Sequence, residues 1–373
     1  MRKGIKILAK VNGGFGTVLV RANFLYCLYE YLGAGADVQI YAVAHRSADM
    51  NDAIFKGVPG ISWYGTEDEW QAVRQKKFDL VFELDLYPRI ISFRKVCSWR
   101  NRKFAGLVEA WRSFIESPGL TEYRRNLREA KQYEFRRCII QGKGILDSAD
   151  IGGLIGVGRE YRMPVACGKD ENSVLRKFGL LGKSFITVQR GINPKLGVNE
   201  SPRMWPSAYY EELIALIKDI YPEYCIVQLG ESVGHCIPLK GVDISLVGLT
   251  EWDDLKVLLG KAVLHIDGEC GMVHLRKALH AGPSVVMFGT NPVAFNGYDG
   301  NINLVGDGCS GWCAEIDDGW QYRCPRGYEV APCMKSLSPE MVFDAIRRYF
   351  SGDVSVLCHK EPPRCYESQF QKY

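Results

Sequence analysis

A glycine-rich turn in the last third of the sequence has the residue types best suited to chemistry. The apolar run Val263–Ile266 predicts a strand, and the tight turn Asp267–Gly271 follows it. We expect a helix to begin near Met272, with His274 in its first turn. Because the amides at a helix N-terminus are unpaired and partially positive, a diphosphate can bind there. Glu269 could accept hydrogen bonds from ribose hydroxyls, and an ordinary turn with a solvated acid is the alternative.

Four cysteines form a second pattern. Cys309, Cys313, Cys324 and Cys333 are separated by three, ten and eight intervening residues. Four thiolates can hold one zinc or iron ion in a tetrahedron. These gaps differ from those of a zinc ribbon, so a folded loop would have to bring the thiols together. The pattern permits a structural metal site, and four reduced thiols are the alternative.

A glycine-rich loop near the N-terminus, Gly13–Thr17, follows the predicted strand Lys6–Lys10. It lacks the G-x-G-x-x-G spacing of dinucleotide-binding loops. No acidic residue ends the next predicted strand, where a ribose ligand would be expected. The sequence therefore argues against an NAD-dependent enzyme.

Predicted strands and helices alternate along the N-terminal half. A helix is expected over Val18–Leu32, and strands are expected over Val38–Ala44 and Phe78–Leu86. This alternation indicates a parallel sheet wound by helices. The charged and aromatic run Ser117–Gln141 predicts one long helix that faces solvent.

The same alternation begins again near Lys183. Strands are predicted at Phe185–Gln189, Cys225–Leu229 and Ser284–Phe288, and Ser207–Ile220 predicts a helix with Ser207 as its N-cap. Two such halves predict a bilobal α/β chain with ligands in a central cleft, facing the carboxyl ends of the strands.

The expected domain limits follow from this repetition. We place an N-terminal lobe at 1–172, a second lobe with the cysteine cluster at 173–337, and a C-terminal helix and tail at 338–373. Ser338-Pro339-Glu340 is expected to open the last helix, with proline at the first helical position.

The composition fits this organisation and excludes several classes of protein. The chain has 373 residues, 47% of them hydrophobic and 24% charged, which is typical of a soluble globular protein with room for two domains. A net charge of +4, spread along the chain, argues against nucleic-acid binding. No run approaches the roughly 18 apolar residues that span a membrane. The odd count of 13 cysteines, most of them scattered, favours reduced thiols and a cytoplasmic location.

The first glycine-rich turn resembles a signature of glycosyltransferase family nine, the family of the lipopolysaccharide ADP-heptosyltransferases. That family has a D-S/T-G-x-x-H-L turn before a helix, and Glu269–Leu275 (ECGMVHL) is similar to it. Gly282-Pro283 and Phe288-Gly289-Thr290 follow in the family's order. The departures are Glu269 for the family's aspartate and Cys270 for its serine or threonine.

A second similarity lies in the middle of the chain, where Arg203–Pro206 (RMWP) resembles the family's K-x-W-P. The family's lysine contacts the donor phosphates, and the resemblance gives this role to Arg203, whose planar guanidinium suits phosphate oxygens. The donor-binding residues that the resemblance implies are Gln189, Gly191, Arg203, Glu269, Cys270, Gly271, Met272, Val273 and His274.

The cysteine run is similar to that of family members which carry C-P-x-G-x-x-x-C before an S-P-E-x-V helix start. Among them are iron-containing bacterial protein heptosyltransferases with a cysteine finger. The resemblance thus implies a structural iron or zinc at the four cysteines. Catalysis in this family requires no metal, so no cofactor is expected for the reaction.

The resemblance places the acceptor in the first lobe, beside a glycine-rich loop whose aspartate is the family's candidate base. The corresponding acceptor-side loop here contains Gly13, Gly14, Gly16 and Thr17. Thr17 takes the place of the aspartate, and a threonine hydroxyl cannot act as a base near neutral pH.

Another carboxylate is therefore required for an inverting transfer, since the acceptor hydroxyl must lose its proton. Asp85 is our candidate for the catalytic base, because it lies at the carboxyl end of a predicted strand. Glu83 and Glu109 are the alternatives, and for each of the three a solvated or capping acid is the other interpretation.

The resemblance implies a glycosyltransferase-B fold, with two Rossmann-like lobes, the donor in the second lobe and the acceptor in the first. It implies an inverting transfer of a sugar, heptose in the ADP-heptosyltransferases, from an ADP-sugar to a hydroxyl of a glycan or protein. A non-catalytic nucleotide-sugar binder is the alternative that Thr17 permits, and an interaction module built on a metal cluster is a third. An oligomer is possible.

Overall fold

The computed structural model describes residues 4–34, 37–94, 101–117, 127–190, 203–232, 236–309, 312–314 and 319–357, with the backbone alone over 127–132. The chain divides into two compact units, Met1–Cys167 and Gly168–Tyr373. Each unit has its own sheet with helices packed against it, which confirms the predicted pair of α/β lobes.

The first unit is built on a five-stranded sheet. Its strands in chain order are β1 (Ile5–Val11), β2 (Val38–Val43), β3 (Ile61–Gly65), β4 (Leu80–Leu84) and β5 (Pro88–Phe93). The spatial order is β3-β2-β1-β4-β5, parallel except for β5, which runs antiparallel to β4. The strand order changes direction between β1 and β4, so the loops after these two strands lie at the usual ligand-binding edge of such a sheet.

Helices of the first unit are α1 (Phe15–Leu32), α2 (Ala48–Phe55), α3 (Trp70–Val73), α4 (Arg102–Ile115) and α5 (Leu127–Ile140). Helix α1 is apolar around most of its circumference and is buried accordingly. Its two buried polar residues bind the end of the unit: Arg21 donates to the Ser148 hydroxyl at 3.0 Å, and Asn23 accepts from the Met163 amide at 3.0 Å.

The prediction of one long solvent-facing helix over Ser117–Gln141 is wrong about its exposure. Within the described residues of this run, helix α5 covers Leu127–Ile140, and its side chains Glu134, Phe135 and Cys138 are all buried. Burial raises the pKa of Glu134, although the ion pair with Arg137, at 2.8 Å, opposes that shift. The charged pair Glu134–Arg137 is thus at least half inside the protein, since Glu134 is buried. The number of polar residues in the run does not show which of them are buried.

The second unit contains a six-stranded, fully parallel sheet. Its strands in chain order are β6 (Phe185–Gln189), β7 (Cys225–Leu229), β8 (Ile244–Ser245), β9 (Leu264–Gly268), β10 (Ser284–Phe288) and β11 (Ile302–Val305). Read from β8, the spatial order is β8-β7-β6-β9-β10-β11, which is the 3-2-1-4-5-6 order of a Rossmann fold. The direction of winding changes between β6 and β9.

Helices of the second unit are α6 (Glu171–Lys177), α7 (Ser207–Ile220), α8 (Trp252–Lys261), α9 (Gly271–Ala278), α10 (Val293–Asn296), α11 (Pro332–Lys335) and α12 (Pro339–Phe350). The limits of α7 agree with the prediction, but Pro206 rather than Ser207 is the N-cap, and no side chain caps this helix. Helix α12 has the predicted Ser338 cap, whose hydroxyl accepts from the Met341 amide at 3.3 Å. It packs on α7 within the core of the second unit.

A buried arginine joins two elements next to α9. Arg276 donates to the carbonyl oxygens of Leu259 and Ala262 at the end of α8, and to that of Gly282 before β10. Burial lowers its pKa to about 10. Since carbonyl groups at a helix C-terminus carry partial negative charge, they compensate the guanidinium without a carboxylate.

The described residues contain no helix that is both long enough and apolar enough to cross a membrane.

Candidate functional site

The site begins where strand β9 leads into helix α9, at the edge between β6 and β9. Cys270 is the N-cap residue, with an extended backbone, and α9 runs from Gly271 for eight residues. The backbone of Arg203 lies next to Gly268, because a Cβ placed on Gly268 would lie 3.4 Å from the Arg203 carbonyl oxygen. Amides at this helix start face the region where the sheet changes winding direction, which is a general anion-binding arrangement.

One carboxylate, that of Glu269, organises the turn. Arg203 Nη2 donates to Glu269 Oε2 at 2.7 Å and to the Glu269 carbonyl oxygen at 2.9 Å. Asn291 Nδ2 donates to the same Oε2, while Asn296 Nδ2 donates to Oε1 at 3.2 Å. His274 Nε2 lies 3.5 Å from Oε1. Four side chains therefore surround both oxygens of this carboxylate.

The electrostatics of Glu269 follow from these contacts. Burial alone would raise the pKa of this carboxyl, but Arg203, His274 and Asn291 outweigh burial and lower it to about 2. Glu269 is thus ionised and fully engaged by protein donors. The contact of Glu269 with ribose hydroxyls stays a prediction, and it would need one of these donors to move. In this structure Glu269 holds the Arg203 guanidinium by two hydrogen bonds.

His274 connects the helix start to the segment after β10. Its Nδ1 lies 2.5 Å from the Tyr298 hydroxyl, and the two rings meet edge to face. The ring is almost fully buried. His274 therefore bridges Glu269 and Tyr298, and this fixes the first turn of α9.

A series of hydrogen-bonded polar side chains connects strands β6 and β9 next to the turn. The Thr187 hydroxyl lies 3.0 Å from His265 Nδ1, and His265 Nε2 lies 3.2 Å from Asp267 Oδ2. The Cys270 thiol donates to that same Oδ2 at 2.7 Å, and Gln189 Nε2 donates to the Cys270 sulfur at 3.7 Å. These hydrogen bonds join β6 to β9 at the point where the winding direction of the sheet changes.

Burial raises the pKa of Cys270 well above its usual value, and the neighbouring Asp267 raises it further. Burial likewise raises the pKa of Asp267, although His265 opposes that shift. The side chain of Cys270 is thus a thiol, not a thiolate, and its hydrogen is directed at Asp267. The sequence resemblance aligns Cys270 with the serine or threonine of the family's turn.

The cysteine segment, by which we mean the described residues between Gly306 and Lys335, packs against this site. The amides of Cys313 and Ala314 both donate to the Thr290 carbonyl oxygen at 3.0 Å. The Trp320 ring centroid lies 5.5 Å from Arg203 Cζ. Cys313, Cys324 and Cys333 are not joined in disulfide bonds.

Those four thiols lie within electrostatic range of one another. Burial raises the pKa of Cys313 to about 12, with further increases from Cys333, Cys324 and Cys309. Burial raises that of Cys333 to about 11. Even so, no group of three or more His, Cys, Asp or Glu side chains in the described part of the chain is placed to hold a metal ion. As arranged here, the cysteines do not form a coordination shell.

The predicted acceptor-side loop lies in the first unit. Gly13, with a φ of 128°, precedes the N-cap Gly14 of α1, and a Cβ at Gly13 would lie 2.6 Å from the Thr17 Cβ. Thr17 and Gly16 are in the first turn of α1, which has no acidic residue. The left-handed backbone at Gly13 and this close approach both require glycine.

The three candidate bases have different surroundings. Asp85 directly follows β4, whose Leu84 carbonyl oxygen accepts from the Asn12 amide at 3.3 Å, so Asp85 and the glycine-rich loop share one sheet edge. Glu83 forms ion pairs with Lys10 and Arg89. Glu109 lies on α4 with 73% of its side chain exposed.

The structure brings most of the predicted donor-binding residues together. Gln189, Arg203 and the run 269–274 meet at one sheet edge, and Gly191 falls outside the described residues. Sequence reasoning missed Asn291, Asn296, Tyr298 and Trp320. Asn291 directly follows Phe288-Gly289-Thr290, so its position in that loop was a usable signal; the other three gave none.

Both units have Rossmann-like sheets, and together they define the class of protein as a glycosyltransferase-B fold. No protein-family model matches the amino-acid sequence, and no curated protein sequence matches it.

Solved structures do match, over almost the whole chain. The chain is similar to ADP-heptose lipopolysaccharide heptosyltransferase II of E. coli, with 15% identity, coverage of 95% of this chain and 98% of that one, and a TM-score of 0.55. A family nine glycosyltransferase from Veillonella parvula has 14% identity, coverage of 95% and 97%, and a TM-score of 0.56. The iron-containing dodecameric glycosyltransferase TibC from enterotoxigenic E. coli has 15% identity, coverage of 93% and 80%, and a TM-score of 0.59. These similarities confirm the predicted fold.

Proposed function

We propose that the chain is a glycosyltransferase whose nucleotide-sugar donor binds in the second unit. The observation that carries the proposal is the position of the Arg203 guanidinium, held by Glu269 beside the N-terminal turn of α9. Helix amides and an arginine at one edge of a Rossmann sheet are suited to a diphosphate. Both bonds to Glu269 use Nη2, one corner of the planar guanidinium.

We propose an ADP-sugar as the donor, with heptose as the transferred sugar. The support is the family resemblance of the turn 269–275 and the fold shared with proteins that bind such ligands. TibC was solved with ADP-D-β-D-heptose, and the E. coli heptosyltransferase WaaC was solved with ADP.

In the proposed reaction, a hydroxyl of a glycan or protein acceptor attacks the anomeric carbon while its bond to the diphosphate breaks. Asp85 takes the proton of that hydroxyl, and the configuration at the anomeric carbon inverts. Arg203 and the first amides of α9 stabilise the charge of the departing diphosphate. No metal takes part in these steps.

A second candidate function is nucleotide-sugar binding without catalysis. The observation that favours it is Thr17, which occupies the first turn of α1 where the related enzymes have an aspartate. A hydroxyl there cannot accept the proton near neutral pH, so activity depends on another group.

Nucleotide binding is tested by thermal shift with ADP, GDP, UDP and ADP-heptose. A ligand at 100 times its Kd adds about 2.7 kcal/mol of stability, which gives a measurable rise in Tm. We expect ADP and ADP-heptose to stabilise the protein, Arg203→Met to remove most of this shift, and Arg203→Lys to keep part of it. Arg347→Met is the matched control, because Arg347 lies on α12 and pairs with Asp344. If no nucleotide raises the Tm of the unaltered protein, the proposal is wrong.

Transfer itself is measured by release of ADP from ADP-heptose, with and without candidate acceptors. Turnover supports the enzyme. Tight binding of ADP-heptose, without hydrolysis or transfer to any acceptor, supports the non-catalytic binder instead.

A structural iron or zinc at the cysteine segment is a secondary proposal. It is supported by the resemblance of the cysteine pattern to that of iron-containing family members, and it requires the four thiols to move closer together than they are here. Metal analysis of purified protein tests it: one equivalent that is lost in Cys324→Ser supports the site, and equal contents in both proteins contradict it. A cytoplasmic location is likewise a proposal, supported by the scattered cysteines of the sequence.

A further inference from the structure

The cysteine segment contacts the Arg203–Glu269 pair from two directions. The first contact is made by Trp320, whose side chain is only 8% exposed. Its ring centroid lies 5.5 Å from Arg203 Cζ, within the range of a cation–π interaction. The Arg203 side chain is itself 18% exposed, so the pair is largely removed from water. Cation–π attraction is stronger when it is desolvated.

The second contact runs through the loop after β10. The Cys313 and Ala314 amides hold the carbonyl oxygen of Thr290, a residue with 2% exposure. The next residue, Asn291, donates to Glu269 Oε2, the same oxygen that accepts from Arg203. Two adjacent amides of the segment thus fix the loop that places the Asn291 side chain.

The beginning and the end of the segment also contact each other, and these contacts restrain the position of Trp320 and of the loop that carries Asn291. The Gly308 amide donates to the Ser336 hydroxyl at 2.8 Å, and that hydroxyl donates to the Cys333 carbonyl oxygen at 3.3 Å. A Cβ added at Gly306 would overlap the Cys333 carbonyl oxygen. The two ends of the segment therefore touch.

We propose that Trp320 and Asn291 are positioning residues for donor binding, and that the cysteine segment is a working part of the nucleotide-sugar site. This inference rests on the proposed function. Trp320 holds the face of the Arg203 guanidinium, and Asn291 holds the carboxylate that fixes its Nη2. Neither residue needs to touch the donor.

The physical basis is the conformational freedom of arginine. An unrestrained arginine side chain loses rotamer entropy when it binds a phosphate, whereas one already held by a ring and a carboxylate loses less. Removing either support should therefore weaken donor affinity only through Arg203. That dependence distinguishes positioning from a general structural role.

The test is a double-mutant cycle, with ADP as the ligand and calorimetry as the measurement. Trp320→Leu in the unaltered background should weaken ADP binding by about 5- to 30-fold, the range expected for loss of a partly buried cation–π contact. In the Arg203→Met background the same substitution should change affinity less than about twofold. Tyr322→Leu is the matched control, because Tyr322 lies two residues away in the same segment and is 47% exposed.

A conservative substitution and a second cycle complete the test. Trp320→Phe keeps an aromatic face and should retain affinity within about threefold. Asn291→Leu should weaken ADP binding by about 2- to 10-fold, and this effect should disappear in the Glu269→Gln background. Equal losses with and without Arg203 would contradict positioning, as would an unchanged affinity in Trp320→Leu.

A measurement without nucleotide separates this inference from the proposed function. In protein labelled with 5-fluorotryptophan, the Trp320 resonance is assigned by its absence in Trp320→Phe. Arg203→Met should shift that resonance and leave the other tryptophan signals in place. If Trp320 does not respond, the inference is wrong whatever the protein binds. If it responds but no nucleotide binds, only the proposed function fails. Because this resonance is measured without Trp320→Leu, it tests the inference even if that variant does not fold.

Discussion

The two units contain the same kind of sheet edge, and they arrange acidic groups at it differently. In the second unit, Glu269 is bound by side chains from the loop before α7, from α9 and from the segment after β10. In the first unit, Glu83 pairs with Lys10 and Arg89, which lie on the adjacent strands β1 and β5. The first arrangement requires distant segments to converge, whereas the second follows from strand register alone. The difference indicates that the turn around Glu269 is organised by tertiary packing, whereas the surroundings of Glu83 are organised by the sheet.

The largest expected effect is that of a substitution at Asp85, the proposed base in the first unit. Asp85→Asn should lower kcat by about 100- to 10,000-fold, because general base catalysis contributes that much. Its ADP affinity should stay within twofold, since Asp85 belongs to the unit that does not contain Arg203. Initial rates of ADP release and calorimetry with ADP measure the two quantities.

Glu109→Gln is the control for that experiment, because Glu109 is a solvated acid on α4. Full activity in Asp85→Asn would remove Asp85 from the mechanism. Loss of activity in Glu109→Gln instead would transfer the role to that helix.

The next effect concerns the contribution of Glu269 to the stability of the second unit. Glu269 has a pKa of about 2, against an ordinary value of 4.5, so it stabilises the folded protein above pH 4.5 and loses this effect as pH falls towards 2. Glu269→Gln should therefore reduce the free energy of unfolding by roughly 3 kcal/mol at pH 7. Urea titrations between pH 7 and pH 3 measure it.

The difference between the two proteins should shrink as pH falls below 4.5. Glu223→Gln, a change at an exposed site on the same unit, should behave like the unaltered protein. A difference that does not depend on pH would mean that Glu269 acts by packing and not by its charge.

A smaller effect is expected at Tyr298. Tyr298→Phe removes the hydroxyl that binds His274 Nδ1, and this should reduce the free energy of unfolding by about 0.5 to 1.5 kcal/mol. Urea denaturation measures the change, with the exposed Tyr328→Phe as control. An unchanged stability would show that His274 is held by Glu269 alone.

The smallest effect is a gain, at Thr17. Helix α1 has no acid in its first turn, so Thr17→Asp should stabilise the protein by about 0.3 to 1 kcal/mol. In the Asp85→Asn background it should also restore part of the lost turnover, because it returns the family's carboxylate to the shared sheet edge. Thr17→Asn is the uncharged control, and destabilisation by Thr17→Asp would contradict the open environment expected of this loop.

How much of the fold could be predicted from the sequence depends on how far apart in sequence the contacting residues lie. Strands β6, β7 and β10 were predicted with their correct limits, because each is a short, mainly apolar run between turn signals. The strands β3, β5, β8 and β11 were missed, because their runs are short or mixed with polar residues. The helix α5 was assigned to solvent although Glu134 is buried, because pairing with Arg137 is not visible in composition.

The candidate site shows the same limit. The turn 269–274 and Arg203 were found through a local pattern. The engagement of Glu269 by Asn291 and Asn296 was not, because these residues lie 22 and 27 positions away and have no periodic relation to it. Trp320 is still farther along the chain. Such convergence is a property of the folded topology and not of any short motif.

The inward-facing thiol of Cys270 has a practical consequence. Peroxides and alkylating agents react with thiolates, and this sulfur keeps its proton because burial and Asp267 both disfavour the charged form. Oxidising agents should therefore leave the Cys270 thiol unmodified and react first with an exposed cysteine such as Cys167.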